Sequence, residues 1–253
     1  MDASWLPARY ALLDQLADRG ALGTFAATDS ETGKKVVLKA LDERSRDSSL
    51  QLAFLRSHEQ LSHVDLPFVP KVGPIQKDDR ALFFETDFVP GLPYGRAASG
   101  SRDSNVKLLA RLFSAISDLH SCGEFHGNLK PTNVLFETDE DKLFLLDLGF
   151  WGYGQGERET RLSSDYWAPE LQRTHLADMR SDFYGFGLLA FELLTGLFVN
   201  EEVLATLCSS DRAAAGEWLA SLSKDLNGPE VDLIVAATSP QLSARPQSCS
   251  ELL

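Results

Sequence analysis

Apolar residues follow two different spacings along the chain, and the change from one to the other divides it into two regions. In the first third, short apolar runs alternate with turn residues, which is typical of strands. The runs that predict strands are residues 11–13, 23–28, 35–41 and 81–88. Between the third and fourth runs, residues 49–62 carry apolar side chains at helical spacing. This region therefore predicts a small sheet with one helix.

Helical spacing dominates from about residue 106 onwards. Residues 106–120 place Leu108, Leu112 and Ile116 on one face, and residues 182–194 are almost all apolar, which predicts a buried helix. Shorter helices are predicted at residues 217–222 and 230–237. Strands followed by helices favour an α+β fold, with the segments 90–93 and 96–104 as the connection between the two regions.

The composition is that of a soluble globular protein, and its charge narrows the classes of partner. The 253 residues are 43% hydrophobic and 24% charged, with a formal net charge of −13. This acidity argues against a nucleic-acid surface, because phosphate contacts need clustered Lys and Arg, and against docking on an anionic membrane. We also expect no transmembrane segment, since the longest apolar stretch is too short to span a bilayer.

The cysteines and the end of the chain bear on its location and context. Cys122, Cys208 and Cys249 have no paired spacing, which fits a reducing, cytoplasmic compartment. The chain stops inside a predicted helix, so we expect a domain of a longer polypeptide. Its partner would be another protein or further domains of the same chain.

Several short motifs occur in the order typical of one protein family. They are Val36-Val37-Leu38-Lys39, Thr86-Asp87-Phe88-Val89-Pro90-Gly91, the stretch from His126 to Asn133, Asp147-Leu148-Gly149, Ala168-Pro169-Glu170, the stretch from Asp182 to Gly187, and Arg245-Pro246. Together they resemble the eukaryotic-like serine/threonine protein kinases over most of the chain. The resemblance implies a bilobal kinase fold as a single domain over residues 1–253. The N-lobe would cover about residues 1–87, the hinge about 87–92 and the C-lobe about 93–253.

The resemblance also implies ATP and Mg²⁺ as cofactors and points to the residues that would bind them. The expected nucleotide-binding residues are Lys39, Asp87, Val89 and Leu135, and the expected magnesium ligands are Asn133 and Asp147. A second interpretation stays open, in which the retained residues serve only as local hydrogen-bonding and charge partners. Two further contacts are expected on the same basis, namely a buried pair of Glu170 with Arg245 and backbone hydrogen bonds to Asp182.

The catalytic-loop motif lacks the residue that defines the chemistry. Asn128 stands where the family has the aspartate that accepts the substrate's proton, and a neutral amide has no useful proton affinity near pH 7. Lys130 could still neutralise a phosphate, but without the aspartate we expect it to be a bystander. Gly127 replaces the arginine that receives an activation-segment phosphate in many kinases.

Two departures in the first region weaken phosphate binding further. Ser57 occupies the position of the helix glutamate that pairs with Lys39, and Glu59 lies about 200° around the helix, so Lys39 is expected to lack its orienting partner. Read without gaps, the three loop glycines fall on Ala17, Arg19 and Leu22. A loop shifted onto Gly20 and Gly23 remains an alternative.

These losses favour a pseudokinase, which is a regulatory, scaffolding or protein-binding signalling module with little or no phosphoryl transfer. Loss of the base alone need not abolish transfer, because positioning and charge dominate that reaction. The alternative hypothesis is therefore an unorthodox or weakly active ATP-dependent protein kinase, or a nucleotidyl transferase, that uses Lys39, Asn133 and Asp147.

Overall fold

The first part of the chain forms an antiparallel sheet with one helix. The structure, a computed structural model, describes residues 5–19, 21–43, 45, 47–78, 80–97, 101–137, 142–149, 165–223 and 226–252. Within these residues, five strands pair in the order β1-β2-β3-β5-β4. They are β1 (Tyr10–Arg19), β2 (Leu22–Asp29), β3 (Lys35–Asp42), β4 (Gln76–Lys77) and β5 (Ala81–Asp87), and helix α1 (Ser48–His63) follows β3.

The second part is mainly helical. Its helices are α2 (Tyr94–Ala97), α3 (Arg102–Ser121), α4 (Pro169–Thr174), α5 (Met179–Thr195), α6 (Glu201–Leu207), α7 (Arg212–Leu222), α8 (Gly228–Ala237) and α9 (Cys249–Leu252). A small sheet of β6 (Leu92–Pro93), β7 (Val134–Glu137) and β8 (Lys142–Leu145) accompanies them, with 3-10 turns at Pro131–Asn133 and Leu242–Ala244. The predicted α+β, bilobal arrangement is confirmed. No helix in the described ranges is long and apolar enough to cross a membrane.

The predicted elements are present, and most are longer than the patterns suggested. The largest difference is β1, which was expected over residues 11–13 but continues to Arg19. Its pairing with β2 shifts register twice, between Leu12 and Asp14 and between Gln15 and Ala17. Each shift moves the following side chains to the other face, so the strand loses the two-residue alternation that makes strands recognisable.

Helix α1 begins directly after a capping residue, Asp47. The carboxylate of Asp47 accepts hydrogen bonds from the backbone N–H groups of Ser49 and Leu50, which stabilises the first turn. The buried face of the helix consists of Leu50, Ala53, Phe54, Ser57, Gln60 and Leu61. All six side chains are uncharged, so α1 presents no carboxylate to the protein interior.

Helix α5 is the centre of the helical region, as its apolar sequence predicts. Every residue from Ser181 to Phe191 is buried, and the helix packs against α3 and α8. Its N-terminus is fixed by a capping box in which Asp178 and Ser181 exchange side-chain and backbone hydrogen bonds. A buried helix at this place can carry polar groups from its first turn into the neighbouring loops.

A buried ion pair ties the start of α4 to the end of the chain. Arg245 donates to both carboxylate oxygens of Glu170 at 2.7 Å, and the hydroxyl of Ser181 donates to the same carboxylate at 2.8 Å. Burial raises the pKa of Glu170, but the hydrogen bonds and charge of Arg245 outweigh burial and hold this pKa below its usual value. The expected pairing of Glu170 with Arg245 is confirmed.

Replacing Arg245 with alanine should destabilise the domain by about 3–5 kcal/mol, because the variant leaves the Glu170 carboxylate buried without its cation. Urea unfolding at pH 7 measures the loss. Arg173→Ala is the matched control, since this exposed arginine lies on the same helix, α4; it should change stability by no more than about 0.5 kcal/mol. Equal stability of the two variants would contradict the assignment.

The same pair should make stability depend on acidity. A carboxylate with a lowered folded-state pKa stabilises the fold above its unfolded-state pKa of about 4.3. Its contribution is lost as the pH falls from there through the lower folded-state pKa. Unfolding free energies measured between pH 7 and pH 3 should therefore fall less steeply in Arg245→Ala than in the natural sequence.

Candidate active-site cleft

A cleft of about 410 Å³ lies between the first sheet and the helical region. This volume is within the range of pockets that hold small ligands and cofactors. Its lining includes all six residues predicted to bind nucleotide or metal, namely Lys39, Asp87, Val89, Asn133, Leu135 and Asp147. The fold thus brings together residues from β3, the 87–93 connection and the start of β7. Their binding roles remain predictions.

The wall of the cleft contains residues that the sequence patterns did not reveal. Leu16 and Thr24 line it from β1 and β2, next to Ala17. The register shifts in β1 hide which side chains face the cleft, so no periodicity could have identified Leu16. Gly23 pairs with Asp18 inside the sheet and therefore does not supply a turn, while Gly20 lies outside the described residues.

Lys39 and Asp147 form an ion pair in the cleft. The Nζ atom of Lys39 lies 2.6 Å from Oδ1 of Asp147, and the side chains are 8% and 22% exposed. The sequence did not predict this partner for Lys39. Ser57 is fully buried on α1, and Glu59 points to solvent, as its position on the helix predicts. The carboxylate that neutralises Lys39 thus comes from the segment after β8 and not from α1.

Helix α1 is held against the helical region by hydrogen bonds and close packing, which we call the interlobe clasp and define as Gln60, Phe125 and Gly149. The amide of Gln60 donates to the carbonyl of Phe125 at 2.5 Å and to the carboxylate of Glu124 at 2.8 Å. Gly149 has φ +74° and lies so close to α1 that a Cβ would come within 3.0 Å of the Cα of Ser57. A side chain at residue 149 would push the helix away.

Asp182, at the start of α5, organises the loop before Asn128. Its carboxylate accepts hydrogen bonds from the backbone N–H groups of His126 and Gly127, both at 2.7 Å, and His120 lies 2.9 Å from it. The expected role of Asp182 is confirmed. Gly127 has φ +72°, a left-handed conformation that glycine adopts without the strain of a Cβ. Glycine in place of the family's arginine at residue 127 therefore removes a charged side chain and adopts the left-handed backbone of the loop without strain.

Asn128 and His126 are buried together below the cleft. His126 is fully buried, and burial lowers the pKa of its imidazole, so the ring is neutral near pH 7. Its Nδ1 accepts a hydrogen bond from the backbone N–H of Asn128 at 3.1 Å. Asn128 and Lys130 are 3% and 5% exposed, and neither is among the described residues that line the cleft. The side chain at the base position is thus a buried amide.

The donors for a magnesium ion are few but suitable. The amide nitrogen of Asn133 donates to the carbonyl of Asn128 at 2.8 Å, so Oδ1 is its metal-binding atom, although the hydroxyl of Thr132 also donates to Oδ1 at 3.4 Å. Asp147 adds one carboxylate in the same cleft, and the described residues contain no group of three His, Cys, Asp or Glu that could hold a metal. Mg²⁺ usually takes one or two carboxylates together with phosphates and waters. Asn133 and Asp147 therefore offer oxygen donors of the type that the ion takes, with Asp147 also paired to Lys39.

Comparison with known proteins identifies the family. The protein kinase domain family matches residues 17–229, which is most of the chain. The chain is a member of the protein kinase family, and its fold is the bilobal kinase fold. This family generally uses ATP and magnesium.

The relatives are serine/threonine kinases, and they are longer proteins. The chain is 30% identical to the serine/threonine-protein kinase pkn3 of Myxococcus xanthus over 212 residues, covering 75% of this chain and 38% of pkn3. It is 25% identical to pkn2 of the same organism over 280 residues, covering 99% of this chain and 32% of pkn2. The kinase PrkC of Bacillus subtilis is 24% identical over 74% of this chain and 30% of its own length. This chain therefore spans about a third of these relatives.

Gln60→Ala should destabilise the domain by about 1–3 kcal/mol, because the carbonyl of Phe125 loses its buried hydrogen-bond donor. Urea unfolding measures the change in the free energy of unfolding. The backbone amides of residues 124–126 should exchange hydrogen faster in the variant than in the natural sequence. Glu59→Ala, one residue earlier on the exposed face of α1, is the control and should change stability by less than about 0.5 kcal/mol. If both variants behave alike, the interlobe clasp does not hold α1.

Proposed function

We propose that this domain is a pseudokinase, a nucleotide-binding regulatory module that transfers phosphate slowly or not at all. One observation carries the proposal. A preformed cleft unites Lys39, Asn133 and Asp147, while the position of the catalytic base is a buried amide, Asn128. The cleft supports binding, and the amide removes the group that would accept a proton from a substrate hydroxyl.

The missing base and the altered position of Lys39 each lower the expected rate of phosphoryl transfer. A missing general base lowers a typical rate by about 10²- to 10⁴-fold. Phosphoryl transfer relies mainly on positioning and charge, so a poorly oriented lysine adds to that loss. Here Lys39 is paired with Asp147 and not with α1, which supports an orientation other than that of an active kinase. The combined effect favours binding over turnover.

The output of such a module would be a contact with another protein. We infer that the partner is a separate protein or a further domain of a longer polypeptide, because the relatives are about three times as long as the matched region. Because the interlobe clasp fixes the position of α1, it supports a surface of constant shape for binding a partner protein. We place the domain in the cytoplasm on the basis of its unpaired cysteines.

A second candidate is a weakly active ATP-dependent transferase. The observation that favours it is the convergence of Lys39, Asn133 and Asp147 on one cleft, which provides a phosphate-binding cation and two metal-binding oxygens. Such an enzyme could phosphorylate a protein slowly or transfer a nucleotidyl group. It differs from the first candidate in one measurable property, which is turnover.

Nucleotide binding is tested by thermal unfolding with ATP, with and without MgCl₂. ATP at 100 times its dissociation constant should stabilise the domain by about 2.7 kcal/mol. Lys39→Ala should abolish the shift, because the cleft loses its cation. Lys71→Ala, which removes a lysine that is 80% exposed outside the cleft, should preserve it. The absence of any shift in both buffers would remove nucleotide binding from the proposal.

Turnover is tested with labelled ATP and generic protein substrates. We expect no transfer above a protein-free blank. Robust transfer that disappears in Asp147→Ala would overturn the pseudokinase proposal and support the second candidate. Asp14→Ala, a change of the same kind on exposed β1, controls for the loss of one negative charge.

A further inference from the structure

We propose that Asp147 replaces the missing carboxylate of α1 as the counter-ion of Lys39, and that the cleft therefore binds a nucleotide without a divalent cation. This inference rests on the proposed nucleotide binding and specifies its chemical form. The ligand is a free nucleoside triphosphate held by Lys39, not a magnesium complex held by Asp147.

The burial of Lys39 creates the requirement for a counter-ion. Its side chain is 8% exposed, and a buried ammonium is stable only when it is paired and hydrogen-bonded. The carboxylate of Asp147 meets this need at 2.6 Å, a distance typical of a strong charge-assisted hydrogen bond. Asp147 is thus already engaged by the cation that a nucleotide would approach.

The neighbouring helix cannot take over this role. The buried residues of α1 are all uncharged, and Gln60 and Ser57 are the buried ones closest to Gly149. The carboxylate of Glu59 lies on the exposed face. If a divalent cation drew Asp147 away, α1 would offer Lys39 no negative charge in exchange.

The backbone around Asp147 holds the pair in place. Asp147 has φ +60°, and two residues later Gly149 is wedged against α1. The N–H of Gly149 also donates to the carbonyl of His126 at 3.3 Å. On the other side of the segment, the N–H of Leu146 donates to the carbonyl of Asn133 at 2.8 Å. The backbone that carries the Asp147 carboxylate is therefore held beside Lys39.

These contacts change the effect of magnesium on nucleotide binding. Where a helix glutamate pairs with the lysine, the aspartate is free to bind the metal and the metal strengthens binding. Here Lys39 neutralises Asp147 and brings the positive charge that would attract phosphate oxygens into the cleft. A cation at Asp147 would share the carboxylate with the positive charge of Lys39, so repulsion between the two cations offsets part of its gain.

The test is isothermal titration calorimetry of ATP into the intact domain, in EDTA and in MgCl₂. We expect the two dissociation constants to agree within about threefold, which corresponds to less than 1 kcal/mol. A constant at least about tenfold lower in MgCl₂, or binding in MgCl₂ alone, would overturn the inference and leave the proposed nucleotide binding intact. No binding in either buffer would overturn both.

A variant of α1 tests whether the missing helix carboxylate is the reason that magnesium does not strengthen ATP binding. Ser57→Glu restores a carboxylate on the buried face of α1, which should pair with Lys39 and release Asp147, so that MgCl₂ tightens ATP binding by about tenfold or more. Ser62→Glu makes the same change on the exposed face of the same helix and should behave like the natural sequence. Magnesium dependence in Ser62→Glu, or none in a folded Ser57→Glu, would contradict the role of Asp147. If Ser57→Glu does not fold, the comparison in the natural sequence still decides.

Discussion

A lysine buried between a sheet and a helical region must be neutralised, and this requirement determines the character of the cleft. Lys39 comes from β3, and its counter-ion comes from the segment after β8, so the ion pair joins the two parts of the chain. The carboxylate at 2.6 Å offsets part of the cost of burying the ammonium. The buried face of α1 is uncharged and provides no alternative carboxylate for Lys39.

The catalytic loop retains its supports although its base is missing. Asp182 binds two backbone N–H groups of the loop, and Glu170 and Arg245 anchor the segment that precedes α5. These contacts stabilise the loop whether or not it performs chemistry. A domain can therefore keep the kinase fold and a preformed cleft after the proton acceptor has become an amide.

Much of the fold and part of the site could be predicted from residue patterns. The helices were predictable because their apolar faces recur with a constant period, and Lys39, Asn133 and Asp147 were predictable from short motifs. The extent of β1 was not, because two register shifts interrupt its alternation. The role of Leu16 in the cleft was missed for the same reason. Asp147 was not predicted as the partner of Lys39, because pairing depends on distance in space.

The sequence by itself determined that the base is absent, that α1 carries Ser57 in place of a glutamate, and that strands precede helices. These properties are local, since each depends on residue type and spacing alone. Only the tertiary structure decided that Asp147 neutralises Lys39, that Gln60 and Gly149 hold α1, and that Asn128 is buried away from the cleft. These properties depend on contacts between residues far apart in the chain, and no local pattern encodes their distances.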